Sequence, residues 1–539
     1  MTPRATYRVQ LRPGWGFDEA AELVPYVEAL GVSHLYVSPV LQAAPGSTHG
    51  YDVVDPTRVS AELGGSGGFA KLCHALSERG LGLVLDVVPN HMAVGSEHNR
   101  WWWDVLENGP SSQYADYFDV EWVPPDVRSD NRILLPILGD QYGRVLEAGE
   151  LAVAREEQGF VIRYHDHTLP VAPRSLGGIL SSAAERASSD ELGFVAAAFL
   201  ALPLPTATDR VSTRRRHRDK EVLARQLGRL LHDDEAIAGA VDTTLAETNA
   251  DPDALDAFLQ QQNYRLAFWR TAGRELGYRR FFDINGLAGI RADDEAVFAD
   301  THPLIVDWAR RGLVSGLRVD HPDGIRDPEA YLRRLRDAVG PDTWIVVEKI
   351  LHRGEELSES WPVQGTTGYD FAALVGGLFV DAAAEQAFTE LYTELTGEPT
   401  DLADVVRDKK HLVMRDMLGS EVNRVTELML DVCERHRRHR DYTRDELRAA
   451  LRELVACFPV YRSYVRAEAG TLTDQDRRWI TEAIATARQN RPELDPELFA
   501  FLEDLMLLRV RGEVESDFVM RLQQVTGAVM AKGVEDTAF

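Results

Sequence analysis

The sequence has few cysteines, no long apolar run and too few basic residues to balance its acidic ones. Its three cysteines, at positions 73, 433 and 457 of 539, are too scattered for a disulfide framework or a metal site with the usual ligand spacing. No stretch approaches the ~20 apolar residues of a membrane-spanning helix. The N-terminus, MTPRATYRVQL, enters a strand pattern without the apolar core of a signal peptide. We therefore expect a globular cytoplasmic protein without a membrane partner.

The charge balance is strongly acidic. The sequence has 86 Asp and Glu residues and 59 Lys and Arg residues, which gives a net charge of −27. Hydrophobic residues make up 44% of the chain. Such a chain repels nucleic acid and anionic lipid, and it favours a neutral or cationic ligand. We expect no nucleic-acid partner. The length allows two or three hydrophobic cores.

Strand and helix patterns alternate over residues 6 to 90. TYRVQL, VSHLYVSPV and LGLVLDVVPNH have the composition of strands, and FDEAAELVPYVEALG and FAKLCHALSERG have the period of amphipathic helices. The segment GGSGGF, residues 64–69, lacks the preceding strand of a phosphate-binding loop, and we interpret it as an ordinary loop. The β–α–β–α–β order without a phosphate loop predicts an α/β protein of the (β/α)8 TIM-barrel class.

Two interruptions of this rhythm predict insertions into the barrel. Aromatic and proline-rich pieces follow the third strand. A helical period dominates late in the chain, where Thr443–Glu446 and Thr473–Asp476 fit capping boxes. The predicted divisions are residues 1–91, the first part of the catalytic barrel; 92–210, an irregular insertion; 211–280, a helical segment; 281–384, the barrel continued; 385–515, a helical subdomain; and 516–539, a late barrel strand region.

Two short apolar strands each end on an acid. Asp320 follows GLRV and Glu348 follows WIVV. The acids are 28 positions apart, and the stretch between them holds one crossover helix, PEAYLRRLRDAV. In a β/α barrel the carboxyl ends of the strands form the active site. Two acids on adjacent strand ends suit retaining glycosyl transfer, in which one attacks the anomeric carbon and the other handles the leaving-group proton. A pair of structural acids in salt bridges is the alternative.

The third early strand and the Asp320 strand carry further polar residues at their ends. DVVPNH gives Asp86, Asn90 and His91 at the predicted barrel mouth, and Arg318 lies two residues before Asp320. Residues two apart in a strand point to the same side. A guanidinium at this position holds a carboxylate ionised and oriented.

The ordered set DVVPNH, GLRVDH and VVEK resembles the α-amylase superfamily. GVSHLYVSPV, RFFDIN and THGYDVVDPTRV agree with further motifs of that superfamily, in which Tyr51 would stack under the bound sugar. The segments APGSTHGYDVVDPTRVSAELGG, WWWDVLENG, QQNYRLAFWR, GLRVDHPDGIRDP and VMAKGVEDTAF extend the resemblance to the maltooligosyltrehalose synthases over essentially the whole chain.

This resemblance implies a function and a set of roles. The family converts the reducing-end α-1,4 bond of a maltooligosaccharide into an α,α-1,1 bond, and matching positions make Asp320 the nucleophile and Glu348 the general acid/base. Asp536 would be the third carboxylate, although the residue before it is Glu535 where most amylase relatives have His. Further candidate sugar contacts are His49, His321, Trp101, Trp102 and Trp103, together with Tyr51, Asp86, Asn90, His91 and Arg318.

Two other functions remain open from the sequence. An α-amylase-like hydrolase of α-1,4-glucans would use the same carboxylates. A non-catalytic carbohydrate-binding protein would retain the barrel, but we expect it to lose a catalytic acid. No cofactor is expected, no metal motif occurs, and a calcium ion held by scattered oxygens stays open.

The position of Asp536 near Phe539 leads to an expectation about partners. An eight-stranded barrel needs strands after this point, and the resemblance implies a C-terminal domain. We therefore expect a C-terminal fragment or second subunit that completes the barrel, and a sequence cut short is the alternative.

Overall fold

The structure, a computed structural model, describes residues 2–95, 97–122, 131–156 and 159–538. Residues 96, 123–130 and 157–158 of the predicted insertion, and residue 539 of the predicted late strand region, lie outside the described residues. The strands are β1 Thr6–Val9, β2 His34–Val37, β3 Leu41–Ala43, β4 Val53–Val59, β5 Gly82–Val87, β6 His91–Ala93, β7 Ile133–Leu138, β8 Leu151–Glu156, β9 Gly159–Tyr164, β10 His167–Pro170, β11 Tyr264–Phe268, β12 Arg280–Phe281, β13 Ile284–Gly289, β14 Gly316–Val319, β15 Trp344–Val347 and β16 Gly365–Thr366.

Helices make up most of the remaining regular structure. They are α1 Phe17–Ala29, α2 Gly65–Glu78, α3 Arg100–Asn108, α4 Tyr142–Glu147, α5 Leu176–Ala187, α6 Asp190–Leu200, α7 Arg210–Asp233, α8 Glu235–Ala250, α9 Pro252–Leu259, α10 Ala272–Glu275, α11 Glu295–Thr301, α12 Pro303–Arg310, α13 Pro328–Val339, α14 Tyr369–Gly377, α15 Glu385–Thr396, α16 Leu402–Asp416, α17 Gly419–Arg435, α18 Arg444–Ala456, α19 Asp474–Asn490, α20 Pro496–Met506 and α21 Glu513–Met530.

The central sheet has six strands in the order β1-β2-β5-β14-β15-β16, and every pair is parallel. Its inner strands are almost entirely buried, which explains their continuous apolar sequences. At Gly316 a side chain would meet Trp344 and Val84 of the neighbouring strands. The result is a curled parallel half-barrel of the predicted TIM-barrel type. The eight strands of the prediction are not found among the described residues, where six form this sheet.

The chain divides into two compact units. The first comprises residues 1–91, 281–284 and 290–539, and the second comprises 92–280 and 285–289. The central sheet and α13–α21 lie within the first unit. Its core packs sheet residues such as Leu35, Leu85 and Leu317 against helix residues such as Phe17 and Leu332.

The second unit is more regular than the predicted irregular insertion. Strands β8, β9 and β10 form an antiparallel sheet, because FVIRY and HTLP fold into a hairpin around His165. Within the predicted helical segment 211–280 the short helix α10 lies near the end, and the longer helices extend only as far as Leu259. Strand β11 follows and pairs parallel with β7.

Helices make up most of residues 369–538, which include the predicted helical subdomain. The capping boxes of α18 and α19 are confirmed, since Thr443 and Glu446, and Thr473 and Asp476, exchange reciprocal hydrogen bonds. Buried Arg462 joins this region to the turn after β14, because it donates hydrogen bonds to the carbonyl oxygens of Asp323 (2.8 Å) and Ile325 (2.7 Å).

Two local predictions are wrong. The predicted late strand region is the helix α21 followed by a π-helical segment, Ala531–Ala538. The region is helical because its apolar residues recur at helical spacing and pack into the core of the helices; they are Phe518, Leu522, Val525 and Val529. The predicted loop at residues 64–69 instead forms most of the first two turns of α2, which begins at Gly65.

No single helix of the described ranges is long and apolar enough to cross a membrane. One bent helix pair, Tyr369–Gly377 with Ala382–Thr396, meets the length and composition criteria.

Candidate active site

The predicted strand-end residues meet at one edge of the central sheet. Arg318 on β14 lies in register with Asp86 on β5 and with Val346 on β15. Asp320 follows β14 directly and Glu348 follows β15. Because the carboxyl ends of parallel strands share an edge, sequence positions 86, 318, 320 and 348 become neighbours.

One guanidinium joins three carboxylates at this edge. Arg318 Nη1 lies 2.7 Å from Asp86 Oδ1 and 2.6 Å from Asp320 Oδ1, and its Nη2 lies 2.7 Å from Glu348 Oε1. The side chains of Asp86 and Asp320 are 0% and 8% exposed, whereas that of Glu348 is 26% exposed. The most accessible acid is therefore the one that resembles the proton donor.

Asp86 is enclosed by two phenols. Tyr36 and Tyr51 donate hydrogen bonds of 2.8 and 2.6 Å to its Oδ2, and Arg8 donates one of 3.1 Å to the Tyr51 oxygen. Burial and the negative charge of Asp86 raise the pKa of both tyrosines, so both remain protonated donors. The Asp86 side chain has no exposed surface, and it holds Arg318 and Tyr51 through these hydrogen bonds.

The charges are unbalanced, since three carboxylates face one guanidinium. Burial raises the pKa of Asp320, the neighbouring Glu348 raises it further, and Arg318 opposes the rise. Burial lowers the pKa of Arg318, but Asp86, Asp320 and Glu348 raise it by more. Asp320 and Glu348 thus share one permanent cation, and burial together with the neighbouring carboxyl raises the pKa of Asp320.

His321 forms the turn after Asp320. Its φ of +41° lies in the left-handed region, and its backbone N–H donates a 3.1 Å hydrogen bond to Glu348 Oε2. The rings of Phe281 and Phe282 lie 5.1 and 4.8 Å from the His321 ring. This strained turn places a backbone donor on the second oxygen of Glu348.

Of the other predicted sugar contacts in the first unit, His49 lies at the surface, and Asn90 and His91 lie in the interior. His49, with 45% of its side chain exposed, accepts a 3.0 Å hydrogen bond from the Tyr51 backbone N–H. Asn90 and His91 are each 1% exposed, and His91 stacks near Phe281 at 4.4 Å. Both side chains therefore lie in the interior next to the strand-end residues, and their role as sugar contacts stays a prediction.

The tryptophans belong to the second unit. Trp101 stacks with Tyr114 at 5.5 Å and packs edge-on to Tyr117 at 5.3 Å, and Trp103 is partly exposed. Trp102 is 2% exposed and packs edge-on to Phe118 and Tyr278. The ring packs in the core of this unit, and its role as a sugar contact stays a prediction.

Asp536 does not share the Arg318 contact that joins Asp86, Asp320 and Glu348; its ion pair is with Lys532. Its carboxylate is 58% exposed and lies 2.8 Å from Lys532 Nζ, which also lies 3.1 Å from Asp283. Glu535, the residue before it, accepts a hydrogen bond from the Tyr461 hydroxyl. Burial, Asp536 and Glu348 raise the pKa of Glu535, so Glu535 senses the charge of the proposed acid/base.

Sequence reasoning missed four residues of this region. Tyr36 lies on β2, where a polar residue inside a largely buried parallel strand was the available signal, and Arg8 lies at an exposed position of the edge strand β1. Tyr369, at the start of α14, has a pKa raised by burial and by Glu348. Lys349 is 1% exposed, with its Nζ 2.9 Å from Glu355 and 3.5 Å from Asp323.

The donor set offers little to a metal ion. Among the side chains of the described residues, no group of three or more His, Cys, Asp or Glu is arranged to hold one. Within the site, Arg318 already neutralises part of the acidic cluster.

Comparison with known proteins identifies similar chains over nearly the whole length. A family profile described as the alpha-amylase catalytic domain matches residues 19–144. A Mycobacterium tuberculosis protein assigned as a maltooligosyl trehalose synthase is 36% identical over 99% of this chain and 56% of its own length.

Solved structures give the same relationship. The maltooligosyltrehalose synthase of Arthrobacter ramosus aligns with a TM-score of 0.74 and 34% identity, over 99% of this chain and 56% of its own. A Sulfolobus tokodaii protein assigned the same activity aligns with a TM-score of 0.68 and 28% identity, over 100% of this chain and 56% of its own. The chain thus spans little more than half the length of these relatives.

Proposed function

We propose that this chain, which has the alpha-amylase-family fold and is a relative of the maltooligosyltrehalose synthases, carries the reaction centre of such an enzyme. The activity would be an intramolecular glucosyl transfer that forms an α,α-1,1 bond at the reducing end of a maltooligosaccharide. The observation that carries the proposal is the bridge of Arg318 between Asp320 and Glu348. We also propose a cytoplasmic location, consistent with three free cysteines.

In the first step Asp320 would attack the anomeric carbon of the penultimate glucose. The bond from this carbon to the leaving oxygen breaks while protonated Glu348 donates its proton to that oxygen. The products are a glycosyl ester on Asp320, an ionised Glu348 and a free reducing-end glucose. Arg318 holds both carboxyls in place while the charge moves from one to the other.

In the second step the released glucose would turn within the site and present its anomeric hydroxyl. Glu348 removes the proton of that hydroxyl, the oxygen attacks the ester carbon, and Asp320 leaves as a carboxylate. Two displacements retain the α configuration. Water attacking at this stage would give hydrolysis instead, so the outcome depends on water exclusion and on retention of the glucose.

The third carboxylate and the sugar contacts remain part of this proposal. Asp536 is proposed from the motif resemblance. The residues proposed as sugar contacts are His49, Tyr51, Asp86, Asn90, His91, Trp101, Trp102, Trp103, Arg318 and His321. Support for Tyr51 comes from its position between Arg8 and Asp86, with its hydroxyl hydrogen-bonded at the reaction edge of the sheet. No cofactor enters any step.

A closed (β/α)8 barrel is also a proposal. Six strands occupy the described sheet, and eight would require two more beside its edges. The relatives are longer than this chain, which spans 56% of each of the two with the higher identity.

Product analysis tests the activity. Incubation with maltopentaose should consume reducing ends and give a non-reducing product of unchanged mass, with little free glucose. Maltopentaitol, in which the reducing end is an alditol, should not react because it lacks the anomeric hydroxyl. Release of glucose or maltose as the main product would support the alternative, an α-amylase-like hydrolase. Binding without any turnover would support a carbohydrate-binding protein.

A further inference from the structure

Lys349, the residue directly after Glu348, is a buried cation between two buried carboxylates. Its side chain is 1% exposed, and its Nζ lies 2.9 Å from Glu355 Oε1 and 3.5 Å from Asp323 Oδ2. The side chains of Glu355 and Asp323 are themselves only 1% and 6% exposed. Removing one member of such a group leaves the others buried and uncompensated, which strongly destabilises a fold. The three charges therefore hold their chain segments together.

The Lys349 ammonium also organises the loop that carries the proposed acid/base. Residues 348–352 belong to no helix or strand, so side-chain contacts take a larger share in fixing their position. Lys349 Nζ donates a 3.2 Å hydrogen bond to the carbonyl oxygen of Ile350. Glu355 Oε2 accepts a 3.0 Å hydrogen bond from the His352 backbone N–H. The ion pair thus binds backbone groups of this loop at two points.

The second carboxylate of the group belongs to the turn after the proposed nucleophile. Asp323 lies in the helical turn Pro322–Gly324, which follows β14. One of its oxygens faces Lys349, and the other accepts a hydrogen bond from the Tyr464 hydroxyl. The His321 backbone N–H, beside the same turn, donates to the carboxyl of the proposed acid/base. The two acid-bearing segments are therefore joined twice, once through a backbone donor and once through the buried ammonium.

Aromatic rings from the helical region cover the ammonium. Lys349 Nζ lies 5.2 Å from the centre of the Tyr461 ring and 5.7 Å from the centre of the Tyr464 ring. Burial and the charge of Asp323 raise the pKa of Tyr464, so its hydroxyl stays protonated and donates to that carboxylate. A cation gains most from aromatic faces where water is excluded. The segment 461–464 therefore supplies one wall of the enclosure around Lys349.

A fixed position matters most for Glu348 among the acids of the site. Glu348 is the most exposed of the three carboxylates on Arg318, and its proposed role requires it to reach the leaving oxygen in the first step and the attacking oxygen in the second. A displacement of about 1 Å can lower a rate about a hundredfold. Lys349 is itself enclosed by its partners, so its influence on the reaction would come from placing Glu348 and not from contacting the sugar.

We propose that Lys349 is a positioning residue for Glu348. Its buried ammonium ties the loop after β15 to the turn after β14 through Glu355 and Asp323, and so sets the separation of the two carboxyls that carry out the double displacement. This inference rests on the proposed function, because the separation in question is that of a nucleophile and an acid/base. The alternative is a purely structural Lys349, which would stabilise the fold without influencing the reaction.

Two variants separate positioning from stability. Lys349→Met should lower the unfolding midpoint, because it leaves two buried carboxylates uncompensated. Lys349→Met with Glu355→Gln removes one charge of each sign and should recover most of that midpoint. In this double variant kcat on maltopentaose should stay at least about tenfold below wild type, with KM changed less than about threefold. Recovery of kcat together with the midpoint would overturn the proposal, because Lys349 would then act on stability alone.

Amide hydrogen exchange supplies a readout that needs no turnover. The peptide covering residues 320–326 contains the His321 N–H that donates to Glu348, and it should exchange at least about fivefold faster in the double variant than in wild type. The control, Arg407→Met with Glu453→Gln, removes another ion pair to a buried carboxylate and should leave this exchange and kcat unchanged. Equal exchange in all three proteins would overturn the proposal. A wild type that leaves maltopentaose unreacted rejects the proposed activity, and the exchange comparison then decides by itself whether Lys349 places Glu348.

Discussion

Arg318 Nη2 on strand β14 lies 2.7 Å from Oε1 of Glu348, which directly follows the neighbouring parallel strand β15. The other terminal nitrogen of the same guanidinium contacts Asp86 and Asp320, so the proposed nucleophile and the proposed proton donor share one rigid cation. Planar, bidentate geometry makes arginine suited to this arrangement. The first predictions follow from this contact.

The substitutions Asp320→Asn and Glu348→Gln should each lower kcat by several orders of magnitude, because each removes one of the two groups that the double displacement requires. Both are nearly isosteric, so the circular dichroism spectrum and the unfolding midpoint should change little. Turnover of maltopentaose above about a tenth of the wild-type rate in either variant would contradict the assignment.

The substitution Arg318→Lys should move the acid limb of the kcat/KM profile to higher pH by about one unit. Lysine cannot contact three carboxylates at once, so the pKa of Asp320 rises further and a larger fraction is protonated at low pH. Arg311→Lys, at an exposed position, is the matched control. An unchanged acid limb would show that Arg318 does not control the ionisation of the nucleophile.

Asp536→Asn should reduce kcat at least a hundredfold if this residue is the third carboxylate, whereas Glu535→Gln should retain most activity. The two neighbouring acids differ in their surroundings, because Asp536 forms an ion pair with Lys532, whereas Glu348 contributes to the raised pKa of Glu535. Steady-state kinetics on both variants give the measurement. The reverse order of effects would transfer the role to Glu535.

Tyr51→Leu should raise KM about tenfold, because it removes both the ring proposed to stack on the sugar and the hydrogen bond to Asp86. Tyr51→Phe keeps the ring and should raise KM less. Tyr36→Phe removes the other hydrogen bond to Asp86 Oδ2 without changing the Tyr51 ring. It therefore separates the effect of a lost hydrogen bond from the effect of a lost stacking ring. Equal KM values for Tyr51→Leu and Tyr36→Phe would argue against stacking.

Glu453 gives a prediction about stability and pH. This buried carboxylate accepts hydrogen bonds from Arg407 at 2.7 and 2.9 Å, and His411 and Asn490 each lie within 3.1 Å of its oxygens. Burial raises its pKa, but the hydrogen bonds, led by those of His411 and Arg407, lower it by more, so the net direction is down. A carboxyl whose folded-state pKa lies below its unfolded value stabilises the fold above about pH 4.3 and loses that contribution as the pH falls.

The substitution Glu453→Gln should therefore lower the free energy of unfolding by about 2 kcal/mol at pH 7 and flatten its decline below pH 5. Urea unfolding at pH 7 and near pH 4 provides the measurement. Glu482→Gln on the exposed face of α19 serves as the control. Parallel declines of Glu453→Gln and wild type would contradict the assigned pKa direction.

Some of the fold could be predicted because short-range patterns determine it. The crossover helix over Pro328–Val339, the strands that precede Asp320 and Glu348, and both Thr capping boxes appear where the sequence indicated. Apolar periodicity and capping chemistry act over a few residues, so a single sequence carries them. The segment after Glu513 had the same helical periodicity, but the expectation of a barrel strand obscured it.

The sequence by itself determined which residues are available: two acids after buried strands, an arginine two residues before the first, and a chain with a strong acidic excess. Only the tertiary structure decided which of them meet. Parallel register brought Asp86 onto the guanidinium of Arg318, 232 positions away, and packing buried Trp102 while α14 and α15 stayed exposed. Contacts between distant segments depend on strand register and side-chain packing, and neither leaves a local signature in the order of the amino acids.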